Sequence, residues 1–199
     1  MRFYKLISTI LHPIVIPTIG VMLYFSLIPN NLFQFQKLTI ISLVFGISYL
    51  IPLLILILFK KTKIIKSYHP KSIKERKLPI ALMTIVYYLF GNFLSSMPYL
   101  RDLGLLFCAT SLSLFFIYIL FYFKIKASIH LLSLGLSVGF FMVLSLIYTK
   151  SFTIVIIFII LLAGLLASAR LHLKAHTEKD IYIGFFVGTL APFYLQYFL

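Results

Sequence analysis

The chain has 199 residues, of which 62% are hydrophobic and 11% charged, and its formal net charge is +14. A composition this apolar describes a protein whose main solvent is lipid and excludes an ordinary water-soluble domain. The single cysteine, Cys108, excludes an intrachain disulfide and a cysteine-based metal cluster, and it reads as a small buried hydrophobe. Arg2 and Lys5 precede the first apolar run in the manner of a secretory signal. Pro13, Pro17 and the lack of a small-residue cleavage site mark that segment as part of the mature protein. Runs of about 20 apolar residues, enough to cross a bilayer as helices, are predicted over 8–27, 38–59, 79–100, 104–123, 128–148, 152–169 and 181–199. The first is interrupted by Pro13 and Pro17 and is expected to lie partly in the interface, which leaves six or seven spanning helices. A barrel would alternate apolar and polar residues, whereas these runs are apolar on both faces. The expected fold is an all-α polytopic transmembrane helix bundle, one membrane domain over 1–199, with the chemistry-bearing residues in about 60–199.

If all seven runs cross, the N-terminus and the loops 60–78, 124–127 and 170–180 share one side. Fifteen of the eighteen Lys and Arg fall there, and only Lys37, Arg101 and Lys150 lie on the other side. His69, His130, His172 and His176 lie on the basic side or at its edge. Nucleic acid is a poor match for this charge, because no soluble domain presents it. Anionic headgroups or a phosphorylated lipid fit better, and Lys60, Lys61, Lys63 and Lys66 serve as orientation signals.

Three clusters on that side carry chemistry. Lys71 to Pro79 places Arg76 and several lysines ahead of a proline suited to a first helical turn. Lys124 to His130 places Ser128 where it can cap a helix and aim backbone N–H groups at a phosphate. Arg170 to Asp180 contains Glu178 and Asp180, two of only four carboxylates. Asp180 follows His176 by four residues, so on a helix the carboxylate can orient the imidazole.

In this order, the clusters resemble the signature of the type 2 phosphatidic acid phosphatase superfamily of membrane lipid phosphatases, Lys-x6-Arg-Pro, Pro-Ser-Gly-His and Ser-Arg-x5-His-x3-Asp. The third element reads Ala169-Arg170, five residues, His176, three residues, Asp180. The second reads Ala127-Ser128-Ile129-His130, with Ala and Ile where the pattern has Pro and Gly. The first keeps Lys71 and Pro79, with Leu78 at the Arg position and Arg76 two residues earlier as its substitute. Helical hairpins between the elements return all three to one face.

The resemblance implies phosphoryl transfer. His176 would attack phosphorus and form a phosphohistidine, with Asp180 holding its ring. His130 would protonate the leaving oxygen and then activate water. Arg170, Lys71 and Arg76 would neutralise the equatorial oxygens, and Ser128 would complete the cradle. No metal or other cofactor is called for, and the implied partner is a phosphorylated lipid in a bacterial inner membrane. Bacterial members imply a site facing the periplasm. The Lys and Arg excess, still twelve to three without Lys71, Arg76 and Arg170, predicts a cytoplasmic one. Two other readings stand beside this one. His172, His176 and Asp180 at successive spacings of four would make a metal site, and a non-catalytic protein of the same fold would bind or transport a phospholipid. Gly135 with Gly139 and Gly184 with Gly188 predict close helix approach, and Asn92 an interhelical hydrogen bond.

Overall fold

The computed structural model describes residues 2–65, 67 and 72–198, and every regular element among them is helical. In chain order these are α1 (Arg2–Ile10), α2 (Ile16–Leu27), α3 (Gln34–Lys61), α4 (Ile73–Ser95), α5 (Arg101–Tyr122), α6 (Ile129–Ile147), α7 (Thr153–His172) and α8 (Glu178–Phe198). A 3₁₀ turn at Pro98–Leu100 leads into α5. The six from α3 to α8 are long and apolar enough to cross a membrane, the build of a multi-pass integral membrane protein. α3 continues through a π turn at Gly46–Leu50, where Ile51 N–H reaches back to Gly46 C=O, just before Pro52. Proline lacks the N–H that the regular ladder needs, and a wider turn absorbs the defect.

The first predicted span is two short helices, because Pro13 falls where α1 stops and Pro17 near the first turn of α2. At 12 residues, α2 is about 18 Å long, well short of a bilayer core. The broken segment nevertheless runs the height of the bundle. Ser8 Oγ accepts from Arg170 Nη1 at 2.9 Å at one end. At the other, Tyr24 Oη and Tyr148 Oη both donate to Asp102 Oδ2, at 2.9 and 2.6 Å, and Lys150 Nζ donates to Leu27 C=O at 3.1 Å.

Two corrections concern α4. It begins at Ile73, with Ser72 Oγ accepting from Glu75 N–H as a cap, so Pro79 lies inside the helix rather than in its first turn. Asn92 is exposed and donates to Tyr88 C=O of its own helix, not to a neighbour.

α6 is the most buried of the six long helices and packs tightly on α8. Here the glycine expectation holds. A Cβ on Gly135 would collide with Phe185 C=O, on Gly139 with Thr189 C=O, on Gly184 with Ser128 C=O, and on Gly188 with Leu132 C=O. Backbones this close gain van der Waals contact that larger residues would forbid. The contact also sets the start of α6 beside the first turn of α8, and Ser128 N–H donates to Asp180 C=O at 2.9 Å. Those two helix starts carry His130 and Asp180.

Three helices that end at this same end of the bundle close alike. After α3, α5 and α7, Lys63, Lys124 and Lys174 take left-handed backbone (φ 60°, 58° and 49°). Each is followed by a 6→1 bond, Ile64 N–H to Phe59 C=O, Ile125 N–H to Leu120 C=O and Ala175 N–H to Arg170 C=O. This is the Schellman closure with lysine where glycine is usual. The ammonium suits the negative end of the helix dipole.

Candidate functional site

His176 lies in the connection between α7 and α8, and its geometry follows from how α8 starts. Thr177 Oγ1 accepts from Asp180 N–H at 3.3 Å, and Asp180 Oδ2 accepts from Thr177 N–H at 3.2 Å, a reciprocal capping box with aspartate in the third position. The same Oδ2 accepts from His176 Nδ1–H at 3.2 Å. Capping thus fixes the carboxylate, and the carboxylate fixes the ring, whose side chain is only 3% exposed. With Nδ1–H engaged, Nε2 is the nitrogen left with a lone pair. Burial pushes the His176 imidazole down to about 4; the bond to Asp180 opposes this and the charges of Arg76 and Arg170 add to it. At neutral pH the ring is therefore uncharged, the form a nucleophile requires.

His176 opens on a cavity of about 790 Å³ that runs into the bundle between α2, α3, α4 and α6. Arg76, Lys126, His130, Arg170 and Lys174 line it together with His176, and the remaining wall is largely apolar, reaching Met83, Tyr87, Leu106 and Phe140. Arg76, Pro79, Ile80, Met83 and Tyr87 form one face of α4 at helical spacing. Leu78 is off that face and 43% exposed. In this register Arg76, not the residue at position 78, reaches the cavity.

His130, at the start of α6, donates to the Ser8 backbone carbonyl and has Arg170, His12 and His176 within electrostatic reach. Its Nε2 is buried and has no partner among the described residues, and Arg170 Nε and Ser128 Oγ share that condition. Buried polar atoms of this kind take partners from a ligand or water. Ser128 departs from expectation, because it is fully buried, does not line the cavity, and spends its N–H on Asp180. Ile129 lines the cavity in its place. Lys71 and His69 lie outside the described residues.

The structure adds two residues that sequence reasoning missed. Ser8 holds Arg170 through its hydroxyl and His130 through its carbonyl, and the His12 ring stands edge-on to His130 at 5.0 Å and lines the cavity. A histidine in a proline-broken apolar run was their one available signal. The metal alternative does not assemble. No three His, Cys, Asp or Glu side chains among the described residues gather as ligands, and the His172 ring lies tilted against Tyr4 with centroids 4.1 Å apart. Comparison with family models, with curated proteins and with solved structures finds no match to this chain.

Proposed function

We propose that this protein is a membrane-embedded lipid phosphatase, similar to the type 2 phosphatidic acid phosphatases, that hydrolyses a phosphomonoester or diphosphate on a lipid headgroup. One observation carries the reading: two imidazoles and two guanidiniums, His176, His130, Arg76 and Arg170, share the polar end of a cavity that is otherwise apolar. An apolar cavity suits a hydrocarbon chain, and forked cations at its end suit a phosphate.

In the first step His176 Nε2 bonds to phosphorus as the bond from phosphorus to the lipid oxygen breaks. His130, which takes up a proton when the negative phosphate binds beside it, gives that proton to the oxygen. Arg76 and Arg170 stabilise the equatorial oxygens, the main catalytic task in phosphoryl transfer. In the second step water bonds to phosphorus, the N–P bond breaks, His130 takes the water's proton, and phosphate and neutral His176 result. Ile129 in the cavity wall favours a second reading, in which the same residues hold a phosphorylated lipid without cleaving it.

The test is phosphate release by the detergent-solubilised protein from a panel of phosphorylated lipids in the presence of EDTA. Release that survives EDTA and falls at least about 10³-fold in His176→Ala supports the phosphohistidine route. Lipid binding without release supports the second reading, and loss on chelation alone overturns the metal-free scheme.

A further inference from the structure

The connections from α5 to α6 and from α7 to α8 enclose a second, open basin of about 570 Å³. It shares Lys126, Lys174, Ala175 and His176 with the apolar cavity, so His176 stands in the wall between the two. Lys124 and Lys179 line the basin alone. Lys124 and Lys126 come from the first connection, Lys174 from the second and Lys179 from the first turn of α8, more than 40 residues further along the sequence, and all four are exposed. Lys124 and Lys174 occupy the left-handed positions described above, a conformation that is unfavourable for an L-residue. The one carboxylate lining the basin is Asp180, and its Oδ2 is taken by His176 and Thr177. Orientation signals need only lie on one side of a membrane; they need not converge around one basin.

We infer that this basin is a phosphate-binding site, separate from the lipid cavity, through which inorganic phosphate leaves His176. The exit role rests on the phosphatase reading, whereas the binding does not. A phosphate group reaches the basin from two sources, the free product or the headgroup of a neighbouring anionic lipid. Because the lysines are exposed, binding should be weak and fall with added salt.

Inorganic phosphate titrated into the full-length detergent-solubilised protein, followed by ³¹P line broadening, tests the binding. Lys124→Ala/Lys179→Ala should weaken it by about 10-fold with an unchanged melting temperature, and His176→Ala should leave it in place. Equal binding in the lysine variant, or loss confined to His176→Ala, would overturn the assignment. In nanodiscs, undiminished phosphate binding when phosphatidylglycerol replaces phosphatidylcholine supports the exit role. Competition by phosphatidylglycerol assigns the basin to headgroups and overturns that role. Failure of the protein to release phosphate from any lipid would remove the phosphatase reading, yet the titration would still report on the basin.

Discussion

The hydrogen bond from His176 to Asp180 has a direction that can be read in a pH profile. Asp180 supports the protonated imidazole, while burial, Arg76 and Arg170 oppose it. On the phosphatase reading proposed above, the rate should therefore hold on the acid side until close to pH 4 and fall below it, as His176 takes up a proton and loses its lone pair. Arg76→Gln removes an opposing charge, so its acid limb should move up toward neutrality. Asp180→Asn should move the limb down and lower kcat by about 10²-fold, since the ring loses its orienting acceptor. Rates of phosphate release from pH 3.5 to 8 in the three proteins measure both shifts. Linkage has the same sign: from about 6.5 down to about 4 the unfolded chain takes up a proton that the folded chain refuses, so stability drops through that window. Ser8→Ala removes the acceptor of Arg170 and should lower kcat/KM by about 10-fold, with recovery in Ser8→Thr. The pairing of His176 with Asp180 was legible from the four-residue spacing, but not its geometry: His176 stands ahead of α8 and meets the carboxylate through the helix cap rather than along one helix face. Ser8 and His12 were not, since their contacts join residues more than 110 positions apart and no local periodicity encodes them.

At the scale of elements, the α6 and α8 pair positions the candidate site. Gly184→Leu would force Ser128 away from α8 and should cost about 1–3 kcal/mol, read as a lower melting temperature together with lost phosphate release. Lys63 offers the reverse. It lines neither cavity, so Lys63→Gly should relieve left-handed strain and raise stability by about 0.5–1 kcal/mol with activity kept. The small-residue spacing foretold the first contact, since four-residue glycine intervals have few other uses in apolar helices. Helix boundaries were less legible. Pro79 reads as a start, but Ser72 Oγ accepts from Glu75 N–H and caps a helix that begins at Ile73. That shift decided which cation, Arg76, faces the cavity.

Across the whole molecule, the basic end carries the candidate site and the opposite end is tied by Asp102 and its two tyrosines. The charge asymmetry predicts that the basic end is cytoplasmic. Single cysteines at Lys63 and Lys150, treated with an impermeant reagent in intact cells, should therefore label at 150 and not at 63. This two-ended plan was legible because hydropathy marks crossings and Lys and Arg mark sides. The number of full-length helices was less so, since the N-terminal run has the composition of a span and is broken by two prolines. The contact between Ser8 and Arg170 joins residues 162 positions apart, and it has a consequence for synthesis. At about 5–20 residues per second, the ribosome delivers Arg170 roughly 10–30 s after Ser8. The first helix must wait in the membrane until the last hairpin inserts. Until then the nascent chain lacks the contact that holds Arg170 and the helix start that carries Asp180, so the candidate site is unassembled.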